Sequence, residues 1–452
     1  MMEISELYTI FRKCGKMATD SRAISGGELF FALKGENFDG NEYAVKALEA
    51  GAAYAVVNAG SAICSRSDEF KDVTGSSRLI AVEDTLATLQ ALGRHHRENV
   101  LGEGKHLTVI GITGTNGKTT TKELIRVVLS AGFNVTATEG NLNNDIGVPL
   151  SLLKITPQTQ IAIIEMGASH PDDISSLVRV CEPDYGIITN VGRAHLLGFG
   201  SFEGVKKAKG QLYDYVNAHG KAVFVNEDDE VLRSMCAERD GISIVPYGLV
   251  TDGSEILPAT PENPFLRIRL ADGMIVSTSL VGSYNSANVL AAICIGKFFG
   301  ISEKDAVMKI ASYVPSNSRS QMVRTEKNVL IVDAYNANPS SMKAALANFI
   351  QMEAGRKAVM LGDMRELGES SVDEHSGILD MLLKSDIDRI FLVGDEFRKA
   401  LTRAGIVLGE RMEWAATSDE LASRLAESPL KGYLVLVKGS RGIRMEKTLP
   451  LL

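Results

Sequence analysis

The sequence has few cysteines, and the five present, Cys14, Cys64, Cys181, Cys236 and Cys294, are scattered with no Cys-x-x-Cys spacing. No zinc or redox centre of that kind is expected, and an odd, dispersed set reads as free thiols in a reducing compartment. No stretch approaches the ~20 apolar residues that span a bilayer, and the first residues, MMEISELYTIFRKCGKM, contain no uninterrupted apolar segment of the signal-peptide kind. The expectation is a cytoplasmic protein without membrane insertion. Positive charge is not in excess: 48 Lys and Arg face 56 Asp and Glu, a net charge of −8. A broad nucleic-acid-binding surface is disfavoured, because phosphate backbones are held by surplus Lys and Arg, although a local basic pocket remains allowed. Internal repeats and low-complexity tracts are absent as well.

What is present centres on one stretch, Gly111-Ile-Thr-Gly114-Thr115-Asn116-Gly117-Lys118-Thr119-Thr120, which follows the apolar run 107–112 and opens a helical pattern. Strand, glycine turn and helix in that order form a phosphate cradle: glycines let backbone N–H groups turn toward an anion, and the helix N-terminus adds positive potential. Lys118 supplies a charge for β- and γ-phosphates, and the Thr119 hydroxyl suits Mg²⁺. The strict Walker spacing fails, since Ile112 stands where the first glycine belongs; the match is the shorter Gly114-x-x-Gly117-Lys118-Thr119. Residues 114–120 are thus the candidate nucleotide-binding loop.

At 452 residues, 45% hydrophobic and 23% charged, the chain has the composition of a soluble globular protein of about three domains. The first hundred residues read as a small α/β unit, with strands at 29–33 and 53–57 around a helix at 43–50. Two polar clusters flank the first strand, Thr19-Asp-Ser21-Arg22 and Lys34-Gly-Glu-Asn-Phe38-Asp39-Gly40. Alone, they read as turns. The segment from about 87 to 105 reads as a helix followed by a linker, Gly102-Glu-Gly104, with a domain boundary near 104; its His95 and His96 are consecutive and so cannot share a helix face as a metal pair. From 107 onward short apolar strands at 135–138, 161–164, 185–189 and 222–225 alternate with helices, the pattern of a doubly wound, mostly parallel sheet.

Ligands in such sheets sit beyond the carboxyl ends of the strands. There stand Glu165, Asn190, His195 and a helix with Lys206, Lys207 and Lys209; each singly reads equally as a cap, a loop residue or a solvated face. The run Glu139-Gly-Asn141-Leu-Asn143-Asn144-Asp-Ile-Gly-Val-Pro149 is either a structural loop or a cluster of amides for a polar ligand. Alternation near 265–270 predicts a β-hairpin excursion before a helix over 285–299, with Ser283 or Asn285 as its cap or facing a base. A third α/β unit, Rossmann-like, has strands at 329–332, 358–361, 390–393 and 433–437. The dinucleotide fingerprint G-x-G-x-x-G does not follow these strands, so NAD binding has no support.

Taken together, Thr113-Gly-Thr-Asn-Gly-Lys-Thr119, Gly140-Asn-Leu-Asn-Asn-Asp-Ile-Gly-Val-Pro149, Glu165, His195, Ala208-Lys209-Gly210, Asn285 to Asn288 and Asp333-Ala-Tyr-Asn336-Ala-Asn338-Pro339 resemble the Mur ligases over essentially the whole chain. With Val437-Lys438-Gly-Ser-Arg441 they look most like the D-alanyl-D-alanine-adding branch. The resemblance implies three domains: 1–103 binding a UDP-sugar, 104–312 a P-loop ATPase-like core binding ATP, and 313–452 binding the incoming D-Ala-D-Ala. It implies ATP-dependent, ADP-forming joining of D-Ala-D-Ala to UDP-N-acetylmuramoyl-tripeptide through an acyl phosphate, for peptidoglycan synthesis. Position by position, it implies Lys118 on the transferring phosphate; Thr119 and Glu165 on one Mg²⁺; and His195 and Lys209, the latter carbamylated, on a second. Asn285 and Asn288 would lie near adenine, Asp333 near the ribose, and Arg319 would reach the phosphates from the third domain. Ser21, Arg22, Lys34, Phe38, Asp39 and Gly40 would face the uridine diphosphate, Asn141 and Asn144 the muramoyl peptide, and Asn336, Asn338 and Lys438 the dipeptide. A monomer is expected.

Two departures touch the adenine side. The family's Gly-x-His-Asn-x-x-Asn is here Gly282-Ser-Tyr284-Asn285-Ser-Ala-Asn288, and its Pro-Gly-Arg is Pro315-Ser-Asn-Ser-Arg319. The rivals are a superfamily member that adds a single amino acid or glutamate to another acceptor, and a nucleotide-binding scaffold without ligase activity.

Overall fold

Leu29, Phe31 and Leu33 pack into one apolar cluster with Leu7, Phe11, Val56, Leu89 and Leu92, while Phe30 and Ala32 pack into a second with Ala44, Leu48, Ala55 and Val57. A strand buried on both faces needs such a continuous apolar run, and helices on each side cover it. A computed structural model describes residues 2–35, 38–71, 77–260, 263–316 and 319–452. Positions 36–37 of the second polar cluster and 317–318 of the Pro315–Arg319 run lie outside them. The first sheet is parallel throughout, in the order Met17–Ala18, Leu29–Phe31, Tyr54–Asn58, Leu79–Val82. Its helix Thr85–Asn99 starts on Asp84, whose carboxylate accepts the Ala87 N–H, and ends ahead of the Gly102–Gly104 linker.

The central sheet has six strands in the order Ile244–Tyr247, Ala222–Asn226, Tyr185–Ile188, Thr108–Thr113, Ile161–Glu165, Val135–Ala137. The expected hairpin is instead a three-stranded antiparallel sheet, Glu255–Leu257, Arg267–Arg269 and Ile275–Ser277. Helix Ser286–Phe298 follows, introduced by a 3₁₀ turn at Ser283–Asn285; neither Ser283 nor Asn285 caps it through a side chain.

The last sheet runs Gln321–Arg324, Val329–Asp333, Leu434–Lys438, Lys357–Gly362, Arg389–Val393, Met412–Ala415, antiparallel only at the first strand. Alternate residues feed opposite cores: Ile331, Leu436, Val359 and Leu392 on one face, Leu330, Val437, Met360 and Phe391 on the other. Strands Val329–Asp333, Leu434–Lys438 and Lys357–Gly362 are neighbours, so their carboxyl-end loops lie side by side.

Packing divides the chain into two compact units, Met1–Gly111 with Asn134–Gly167 and Ser175–Asp184, and Ile112–Phe133 with Ala168–Ile174 and Tyr185–Leu452. Among the described residues no helix is long and apolar enough to cross a membrane.

Candidate functional site

In the second unit the phosphate loop is shaped by two glycines at positive φ. Gly114 lies at +145°, and a Cβ there would stand 1.9 Å from Thr189 Oγ1; Gly117, at +79°, would bring one to 2.7 Å from Asn288 Oδ1. Both close approaches demand glycine whatever the sequence around them. The loop is braced from the end of strand Tyr185–Ile188: Asn116 N–H donates to Asn190 Oδ1 at 3.0 Å, and Thr189 Oγ1 and Asn190 Nδ2 both donate to the Asn116 carbonyl at 2.6 and 3.0 Å. Thr189 carries no functional signal in the sequence, and Asn190 reads there only as a strand-end residue. Lys118 opens helix Lys118–Leu129, and its ammonium donates to the Gly114 carbonyl at 2.7 Å, holding its charge at the loop. Thr119 and Thr120 are buried behind it.

From this loop a chain of buried amides and hydroxyls runs to the loops of the last sheet. Thr121 Oγ1 donates to Asn288 Oδ1 (3.0 Å), Asn288 Nδ2 to Asn285 Oδ1 (3.0 Å), and Asn285 Nδ2 to the Val281 carbonyl (2.9 Å) and Ser320 Oγ (3.2 Å). Ser320 N–H then donates to Asp333 Oδ1 (3.3 Å), and Lys438 Nζ donates to Asp333 Oδ2 (2.6 Å). The amides of Asn285 and Asn288, matched by resemblance to the adenine side, thus bond within the protein. Tyr284, in place of the family histidine, exchanges a hydrogen bond with Ser320 Oγ at 3.1 Å. Ser320 itself carries no sequence signal; it is read only through these partners.

Of the three lysines in helix Phe202–His219, Lys206 pairs with Glu238, Lys207 is exposed and Lys209 is buried. Burial holds the Lys209 pKa far below its ordinary value, the nearby Lys118 lowers it further, and Asp173 opposes both. A charged ammonium is disfavoured at this position. His195 sits at φ +51° before helix Leu196–Phe199, with Nδ1 in close contact with the Glu366 carboxylate. Burial lowers its pKa, as do Lys118 and Lys209, while Glu366 raises it. Among the described residues no three His, Cys, Asp or Glu side chains gather to hold a metal by themselves. A cation here would need hydroxyl, carbamate or phosphate oxygens beside an imidazole, a donor set that fits a hard ion such as Mg²⁺.

The carboxyl-end loops of the last sheet meet the same site. Asn338 caps helix Pro339–Gln351 through Ser341 N–H (3.0 Å), and its Nδ2 donates to Asn116 Oδ1 of the phosphate loop at 2.7 Å. Asn336 is exposed; Lys438 is buried against Asp333 and the Asn336 carbonyl, so its charge orders this loop. Arg319 stacks over the Tyr335 ring at 3.9 Å and Arg441 approaches it at 5.5 Å. A cavity of about 380 Å³, lined among others by Met322, Arg324, Val329, Arg356 and Tyr433, lies at the amino ends of these strands, away from the polar loops.

In the first unit Glu165 is buried, its Oε1 accepting from Asn143 Nδ2 at 2.9 Å. The amide turned to it is Asn143, while Asn144 Oδ1 accepts the Gly147 N–H and Asn141 is exposed. The clusters with Ser21 and Arg22 and with Lys34 to Gly40 follow neighbouring parallel strands, so they share one end of the sheet. Arg22 pairs with Asp20, which holds that carboxyl at about 2, and Asp39 caps the turn at Gly40–Tyr43 through Asn41 N–H (2.9 Å). A Cβ at Gly40 would stand 2.3 Å from the Leu33 carbonyl, while Lys34 and Phe38 are exposed.

Comparison with known proteins agrees with this layout. Family models match in three parts: the Mur ligase family catalytic domain over 15–97, the Mur ligase middle domain over 112–296, and the Mur ligase glutamate ligase domain over 318–441. The chain is 32% identical over 445 residues to the UDP-N-acetylmuramoyl-tripeptide–D-alanyl-D-alanine ligase of Bacillus subtilis, covering 95% of this chain and 91% of that one. It is similar to a crystal structure of MurF from Acinetobacter baumannii (TM-score 0.82, 28% identity, 99% and 97% of the two chains). It is also similar to MurF from Thermotoga maritima in complex with ADP (TM-score 0.79, 26% identity, 100% and 98%).

Proposed function

Because the chain belongs to the Mur ligase family, we propose that it is the ATP-dependent, ADP-forming ligase joining D-alanyl-D-alanine to UDP-N-acetylmuramoyl-tripeptide in peptidoglycan synthesis. The observation that carries this reading is the Asn116–Asn338 pair, which joins the phosphate loop to the last-sheet loop carrying Ala-Tyr-Asn-Ala-Asn-Pro. An acceptor held on that loop lies beside the γ-phosphate end of a nucleotide held on the other.

The terminal carboxylate of the tripeptide attacks the γ-phosphorus and ADP leaves, giving an acyl phosphate. The neutral amine of D-Ala-D-Ala then attacks the acyl carbon; phosphate departs and the amine proton passes to solvent or base. Catalysis of this kind is mostly positioning and charge neutralisation. Lys118 neutralises the transferring group and Arg319, poised on Tyr335, reaches the phosphates. Mg²⁺, on Thr119 and Glu165 and again on His195 and carbamylated Lys209, would neutralise phosphate charge. Asn285, Asn288 and Asp333 frame the nucleoside side, here through the buried amide chain. Ser21, Arg22, Lys34, Phe38, Asp39 and Gly40 receive the uridine diphosphate, Asn141 and Asn144 the peptide, and Asn336, Asn338 and Lys438 the dipeptide loop. The working boundaries are 103/104 and 312/313. The five free thiols support a reducing compartment, the cytoplasm, and one chain carries every proposed site, so it acts as a monomer.

The test is an acceptor screen with ATP and UDP-N-acetylmuramoyl-tripeptide. ADP formation with D-Ala-D-Ala and not with single amino acids is expected; preference for free glutamate or a diamino acid would overturn the substrate assignment.

A further inference from the structure

We propose that Glu366 is a positioning residue for His195, supplied from the third family region to a metal site on the middle one; the inference rests on the metal reading given above. His195 and Glu366 are both non-glycine residues at positive φ, +51° and +64°, and their side chains meet with the Glu366 carboxylate against Nδ1. Left-handed backbone at two facing residues persists only where the surroundings over-determine it.

The surroundings of Glu366 do so residue by residue. The Asp363 carboxylate accepts the N–H groups of Glu396 (3.0 Å) and Phe397 (2.9 Å), pinning the loop to the start of helix Asp395–Ala404. Met364 N–H donates to Nε2 of the buried His375 (3.0 Å), and Arg365 N–H donates to Ser440 Oγ (3.0 Å). Ser440 Oγ in turn donates to the Ala337 carbonyl (3.2 Å), so the loop that carries Glu366 and the loop that carries Asn338 are tied together. Three consecutive residues are fixed, and the fourth reaches His195.

A histidine that binds a metal through one ring nitrogen commonly gives the proton on the other to a carboxylate, which sets the tautomer and the ring orientation. Glu366 on Nδ1 leaves Nε2 as the lone pair for the ion. Since Glu366 lies within 318–441 and His195 within 112–296, the metal is held tightly only when the third region is seated. Metal affinity then reports the seating.

The experiment is Mn²⁺ titration of the full chain with ADP, read by electron paramagnetic resonance, for wild type, Glu366→Ala, Glu366→Gln and His195→Ala. Glu366→Ala is expected to weaken Mn²⁺ binding by about 10–100-fold, and Glu366→Gln, whose amide oxygen still accepts, by less. The Glu366 side chain is 60% exposed, so the pair adds little to stability; melting temperature and metal-free ADP affinity stay at wild-type values. Wild-type Mn²⁺ affinity in Glu366→Ala alongside weakened binding in His195→Ala would overturn the positioning role alone. Unchanged binding in His195→Ala would overturn the metal reading and the inference with it.

Discussion

Replacing Asn288 by alanine cuts the buried amide chain at its centre. Asn288 accepts from Thr121 Oγ1 and donates to Asn285 Oδ1, both at 3.0 Å, and Thr121 and Asn285 are 0% and 2% exposed. Water does not reach either orphaned partner without rearrangement. Each buried polar group left unsatisfied costs about 1–3 kcal/mol, so two imply a loss of about 2–6 kcal/mol. Adding Thr121→Val to Asn288→Ala removes one orphan and should return about 1–3 kcal/mol, a non-additivity that contacting residues show and distant ones do not. Guanidinium unfolding of wild type, Asn288→Ala, Thr121→Val and the double variant by circular dichroism measures both quantities. A change below about 0.5 kcal/mol in Asn288→Ala, the size of an ordinary surface substitution, would refute the buried chain. Strict additivity would refute the Thr121 link.

Gly114→Ala should abolish nucleotide binding, since the new Cβ stands 1.9 Å from Thr189 Oγ1; ADP affinity by calorimetry checks it. Lys438→Met leaves Asp333 as an unpaired, mostly buried carboxylate and should destabilise the protein by about 3–5 kcal/mol, read by denaturant unfolding. Lys209→Ala should lose most ligase activity and regain part of it with added formate or acetate, which replace the carbamate oxygens; steady-state assays with and without the acid decide this. His96 is buried with its ring nitrogens on the Ile155 carbonyl and Tyr8 hydroxyl, and burial keeps its pKa below the ordinary 6.5. The unfolded chain therefore takes up a proton that the native state refuses, so this contribution is full above pH 6.5 and is lost as pH falls through the folded pKa. Melting at pH 5 and 7.5 should show a smaller acid loss in His96→Phe than in wild type.

The phosphate loop was legible because its determinants are local: two glycines, a lysine and a threonine between an apolar run and a helical pattern. The buried strands were legible for a similar reason, as apolar runs such as residues 29–33 and 329–332. The strands left unnamed in the first, central and last sheets, Met17–Ala18, Leu79–Val82, Ile244–Tyr247, Gln321–Arg324 and Met412–Ala415, are all sheet edges, and two of them, Gln321–Arg324 and Met412–Ala415, mix polar and apolar residues, as edge strands do. Among the candidate site residues, Asn143 could not be told from Asn141 and Asn144, since only the turn decides which amide faces Glu165. Ser320 and Glu366 gave no signal because each is defined by partners distant in sequence, Asn285 and Asp333 for one and His195 for the other.

The most direct test is phosphate release from ATP and Mg²⁺ by the purified protein with UDP-N-acetylmuramoyl-tripeptide, with and without D-Ala-D-Ala, the product weighed by mass spectrometry. The expected result is dipeptide-dependent release and the mass of UDP-N-acetylmuramoyl-pentapeptide; release with another amino acid, or none with any acceptor, would contradict it.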